Sequence, residues 1–204
     1  MSAYDEIKKR IIELRYPPGE KLSEARLAEE LRCGRSPVRT AFSRLQAEGF
    51  IAVSPQSGTY VRALTEGEIH DIFECRLLLE THATRLAAKN MSEEDLRKLR
   101  TAFRRLAPQG GDALGPDVFD DFNALDSMFH ATVYRAAGNA IINDILMNLL
   151  EKAQWLKKSS PSTPERIRIS FGELEAVLEA LERRDPDAAE ARMRDHIGMA
   201  EKIY

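Results

Sequence analysis

Cysteine is nearly missing from this chain: Cys33 and Cys75 are the only two, with no C-x-x-C spacing. That scarcity argues against a disulfide framework or a cysteine-rich zinc site, and both side chains are expected to be small buried hydrophobes. No apolar run is long enough to cross a bilayer. The opening MSAYDEIKKR lacks the apolar stretch of a secretory signal, so a cytoplasmic protein without membrane attachment is expected. H-E-x-x-H, G-x-S-x-G and the P-loop are all absent, which leaves common hydrolase and nucleotide-dependent chemistries without a signature. Internal repeats and low-complexity tracts are missing too.

What is present is unevenly spread. Residues 1–64 carry 11 Lys and Arg against 8 Asp and Glu, net +3, whereas residues 65–204 carry 19 against 25, net −6. A basic head on an acidic body suggests that a polyanion meets the head only.

Within the head, the spacing predicts helices near Tyr4–Leu14, Ser23–Arg32 and from Gly34 to about Glu48, with Ser23 as an N-cap and Gly49 just past a helix end. FIAVSPQSGTYVRAL then reads as a hairpin around Pro55-Gln56-Ser57-Gly58. From Thr65 on the period is helical, with spans near Thr65–Asn90, Ser92–Ala107, Pro116–Ala137, Asn139–Lys158, Pro164–Arg184 and Pro186–Tyr204. Loops are expected at Pro108–Gly115 and Ser159–Thr163. The fold class is therefore mostly α: a winged helix-turn-helix over residues 1–64, then an all-helical six-helix bundle over 65–204.

On the third helix, Val38, Ala41, Phe42 and Leu45 form one inward stripe. Arg35, Arg39 and Ser43 lie four apart on another face, with Ser36 and Thr40 beside them. In isolation such a face is as readily a solvated surface. Behind a tight turn and before a hairpin wing, it suits the major groove, where Arg pairs with guanine and short hydroxyls reach phosphates or base edges.

YPPGEKLSEARLAEELRCGRSPVRTAFSRLQAEGFIAVSPQSGTYV resembles the DNA-binding domain of the GntR family of bacterial transcription regulators, over about the first 62 residues. The resemblance implies that Arg35, Ser36, Pro37, Arg39 and Thr40 lie at the DNA, with Gly58 and Thr59 in the wing. Two departures stand out. Gly34 replaces the usual Ser or Thr, and the wing Ser54-Pro55-Gln56-Ser57 lacks the arginines often found there, which shifts the burden onto Arg35 and Arg39.

In the body, Asp126 and His130 stand i, i+4 beside the stripe Phe122, Leu125, Phe129, Val133 and Ala136, and His196 lies on the stripe of the last helix. These three could ligate a divalent ion, or they could be an Asp–His hydrogen bond and an unrelated packed histidine. Arg76 falls among Ile72, Phe73 and Leu77, where a cation needs a partner, and Glu80 could supply it. A metal-dependent enzyme built on Asp126, His130 and His196 is the alternative function, but it leaves the winged head without a purpose.

Residues 65–204 resemble the FCD effector domain of the FadR branch, with six helices favouring its VanR-like subgroup. Many FCD domains bind metal through one Asp and three His. Asp126, His130 and His196 match three of those positions, and Leu174 occupies the fourth. The resemblance thus implies a weakly held divalent metal such as Zn or Ni, or none. It implies an effector site at Arg76, Glu80 and Asn139 for a small carboxylate. Together these readings make a ligand-responsive regulator, a repressor by family habit, that works as a homodimer on a double-stranded operator.

Overall fold

A computed structural model describes residues 2–107, 118–160 and 163–202. Contacts between Cα atoms divide the chain into two compact units: Met1–Thr65 with Trp155–Ser160, and Glu66–Gln154 with Pro161–Tyr204.

The first unit opens with α1 (Ala3–Ile12), whose first turn is closed by a capping box between Ser2 and Asp5. Strand β1 (Lys21–Leu22) leads into α2 (Glu24–Glu30), which Ser23 caps by accepting from the Arg26 amide. Arg32 turns the chain at φ 50°. α3 (Arg35–Ala47) then starts at Gly34, an N-cap without a side-chain hydrogen bond. Gly49, at φ 83°, ends that helix and hands the chain to β2 (Ile51–Ser54) and β3 (Gly58–Val61).

A hairpin is expected from the sequence; the sheet has a third strand. The order is β1-β3-β2, all antiparallel, with Lys21 opposite Tyr60 and Ser54 opposite Gly58. Two residues are too short for an alternation pattern, which is why β1 is invisible in the sequence. Ile7, Ile11, Leu27, Val38, Leu45 and Phe50 are fully buried and form the centre of the head. Trp155 joins this core, its ring 5.5 Å from that of Phe50.

The second unit is helical among the described residues: α4 (Glu66–Asn90), α5 (Glu93–Leu106), α6 (Val118–Ala136), α7 (Ala140–Ser159), α8 (Pro164–Glu182) and α9 (Pro186–Glu201). Ser92 and Asp185 cap α5 and α9, and Pro186 stands in the first turn of α9, where its missing N–H costs nothing. Gly138, at φ 74°, separates α6 from α7. α4 packs against α9, α6 and α8. The expected loop at Pro108–Gly115 lies outside the described residues, as does part of Ser159–Thr163.

One expectation is overturned. Cys75 is exposed and Cys33 only half-buried. Cys75 falls on the solvent side of α4, because the inward face takes Ile72, Phe73, Arg76 and Glu80.

Candidate nucleic-acid interface and buried polar cluster

The recognition face. α3 buries Val38, Ala41, Phe42 and Leu45 and leaves Arg35, Ser36, Pro37, Arg39 and Thr40 exposed. The helix is thus clamped from behind, with its donors outward. Arg39 is engaged: Nε and Nη2 donate to Oε1 and Oε2 of Glu24 on α2, at 3.2 and 3.0 Å. The pair stays open to water, with the Arg39 side chain 71% exposed. The Arg39 guanidinium, helped by Arg35, holds the Glu24 carboxyl below the usual carboxylate range. An exposed pair of this kind contributes little to stability.

The wing. Gly58 has φ 128°, a backbone state that L side chains rarely adopt. A Cβ there would also stand 2.7 Å from Cε of Lys21. The Lys21 stem therefore lies across β3 at the wing, its ammonium 5.9 Å from the Tyr60 ring centre. The wing has no arginine, yet a cation reaches it from β1. Sequence reading overlooks Lys21 because its strand is so short. Thr59 is half-buried beside Gly58.

The buried cluster. Asp126, His130 and His196 are all buried, and one ligand atom from each lies within 4.8 Å of the others. His130 Nε2 stands 3.9 Å from Asp126 Oδ1 and has no hydrogen-bond partner, an orphaned nitrogen in a sealed interior. Each imidazole meets a carboxylate on its other side. His196 Nδ1 is 2.9 Å from Glu173 Oε2, and His130 Nδ1 is 2.8 Å from Glu80 Oε2. At His196 the carboxylate on Nδ1 favours the Nδ1–H tautomer and leaves Nε2 with a lone pair, which is how metal-binding imidazoles are held; His130 Nδ1 is close to Glu80 without an aligned hydrogen bond. Two imidazole nitrogens and a carboxylate oxygen fit a divalent transition metal. Leu174 is fully buried and offers no donor, so the protein supplies three ligands, not four.

Around these three lies a wider polar shell. Arg76 is 2% exposed and its Nε donates to Glu80 Oε1 at 2.5 Å. Burial pushes the Glu80 carboxyl up, but Arg76 and His130 outweigh it and hold the group well below its ordinary value. Burial likewise raises the neighbouring Tyr134 hydroxyl. Arg166 grips both oxygens of Glu173 at 2.9 and 3.2 Å. Sequence reading missed Glu173, Arg166 and Tyr134: Tyr134 lies one turn beyond His130 on α6 and Arg166 two turns before Glu173 on α8, but Glu173 meets His196 across two helices, which no spacing rule joins.

Arg76 is thus paired with Glu80, which its i, i+4 spacing allows. Asn139 stands apart. It is exposed, and its Oδ1 accepts from the Ile142 amide, an N-cap of α7.

Two family descriptions match this chain: "Bacterial regulatory proteins, gntR family" over residues 1–61 and "FCD domain" over residues 71–199. It is 32% identical over 196 residues to the "Probable D-xylose utilization operon transcriptional repressor" of Paenarthrobacter nicotinovorans, covering 95% of this chain and 83% of that one. The chain belongs to the gntR family of bacterial regulatory proteins. It is also 27% identical over 197 residues to the HTH-type transcriptional repressor RspR of Escherichia coli K12, covering 95% of this chain and 83% of that one. In fold it resembles E. coli McbR/YncC, with a TM-score of 0.79 at 21% identity over 97% of this chain and 92% of that one.

Family membership disposes of the enzyme alternative: gntR relatives with an FCD domain regulate transcription. None of the helices among the described residues is long and apolar enough to cross a membrane.

Proposed function

We propose that this gntR-family chain is a ligand-responsive repressor of the FadR branch and its VanR-like subgroup. In this reading residues 1–64 bind a duplex operator, residues 65–204 bind a small organic acid and dimerise, and the protein works in the cytoplasm as a homodimer. The observation that carries it is the two-sided α3, with Arg35, Ser36, Pro37, Arg39 and Thr40 outward and an apolar stripe behind them. That helix enters the major groove while Gly58 and Thr59 bring the wing to the neighbouring backbone. Two copies related by a two-fold axis read half-sites about one turn apart.

Asp126, His130 and His196 would hold a divalent ion such as Zn or Ni, weakly, since the protein offers three ligands. The ion would supply positive charge to the cluster. Arg76 and Arg166 set two guanidinium charges against the three carboxylates of Glu80, Asp126 and Glu173. With neutral imidazoles the cluster is short of one positive charge. A divalent ion reverses that sign and invites one carboxylate from an effector. Arg76, anchored by Glu80, faces that carboxylate, and Asn139 acts through the start of α7. Effector binding then lowers operator affinity by favouring one of two states.

A genome-wide map of bound sites tests the head: a shared inverted repeat with half-sites about one turn apart is expected, and bound fragments with no common sequence would end this reading. Thermal-shift screening of small carboxylates tests the body, with and without Zn or Ni. A midpoint raised by a carboxylate is expected. A protein that retains no ion after loading and desalting removes the metal from the account.

A further inference from the structure

Glu24 stands at the start of α2 and sends its carboxylate across to α3. We infer that Glu24 is a specificity-determining residue, one that holds the Arg39 guanidinium in the orientation that reads a guanine. The assignment rests on the DNA-reading role of α3 proposed above and adds a residue to it.

The geometry decides which edge of the guanidinium stays available. Glu24 takes the side carrying Nε and Nη2, at 3.2 and 3.0 Å. The other edge, with Nη1 and the second Nη2 hydrogen, is left outward on a side chain that remains 71% exposed. A guanine presents O6 and N7 to two parallel N–H groups, and that outward edge supplies them. An unsupported arginine gives up rotamer freedom on docking; one already braced gives up less. Glu24 is itself only 32% exposed on its side chain, so its position is better defined than that of the arginine it braces.

The same carboxylate works against unselective binding. It places a negative charge within a Debye length of any phosphate that α3 approaches. Wherever a guanine satisfies Arg39, this repulsion is offset; on other sequences it is not. Glu24 therefore gives up general affinity for selectivity, and its removal moves the two affinities in opposite directions. A residue that only steadied the N-terminus of α2 would move them together.

The full-length chain is first used to enrich duplexes from a pool randomised over about three helical turns. The winning duplex and a shuffled one of equal length then serve as probes at one salt concentration. Glu24→Gln is expected to cut the ratio of the two affinities about tenfold, and to tighten binding of the shuffled duplex about twofold. Glu24→Asp keeps the charge but retracts it by one methylene; it should lower the ratio without that gain. In an Arg39→Ala background, Glu24→Gln should leave the ratio unmoved. An unchanged ratio in both Glu24 variants overturns the assignment, as does an equal fall in both affinities or a loss that persists without Arg39. A wild-type chain that enriches no sequence fails at the first step, and removes the DNA-reading role along with the proposal.

Discussion

Arg39–Glu24 in the head and Arg76–Glu80 in the body are the same chemical pair in opposite surroundings. The first has side chains 71% and 32% exposed, the second 2% and 0%. In water the pair is nearly neutral in free energy, and the edge of the guanidinium that Glu24 does not hold stays open to solvent. Sealed in the bundle, each charge depends on the other, because an abandoned partner has no solvent to turn to. The head keeps its charges where another molecule can reach them, side by side with their partners. The body keeps them sealed from solvent.

The contrast breaks most visibly in the body. Glu80→Ala strands the Arg76 guanidinium and removes the carboxylate beside His130, and a loss of about 3–5 kcal/mol in denaturant unfolding is expected. A loss under about 1 kcal/mol would mean that water reaches the pair and that the two pairs are alike after all. Arg39→Ala should do the reverse, leaving the unfolding midpoint unmoved while operator affinity falls about tenfold to a hundredfold in a low-salt titration.

Lys8–Glu48, at 2.7 Å with side chains 8% and 23% exposed, lies between these extremes. Burial raises the Glu48 carboxyl, but the Lys8 ammonium and the Tyr4 hydroxyl outweigh it and hold the group below 4.5. The stability this ionised group contributes is therefore full above about pH 4.5 and fades as acid takes the pH through the lower folded value. Lys8→Met should separate from wild type in melts above that pH and converge with it below. A gap that widens in acid would reverse the sign of this coupling. The smallest effect is expected at the wing, where Lys21→Gln should weaken all duplexes alike and lower the slope of log affinity against log salt by about 0.9. An unchanged slope would take Lys21 off the phosphate backbone.

The contrast also marks what a sequence can reveal. Local rules locate the helices to within a residue or two at most ends, because caps such as Ser23, Ser92 and Asp185 act within one turn. The i, i+4 rule likewise predicts that Glu80 can reach Arg76 and that Asp126 and His130 share a flank. What stays hidden depends on elements meeting in space. Glu173 beside His196, Lys21 across the wing and Glu24 on Arg39 each join residues whose separation in the chain carries no period. Cys75 fails for a related reason: its type favours burial, yet the helical phase set by Phe73 and Arg76 turns it outward.

Trp155 is the chain's single tryptophan. It is 2% exposed against Phe50, in the core of the head, although α7, the helix that carries it, begins back at Ala140. Red-edge excitation of the unlabelled protein therefore collects light from one point beside Phe50 in the core of the head. Quenching and emission wavelength during a titration become a built-in optical gauge of the operator-binding half, with no fluorophore to attach.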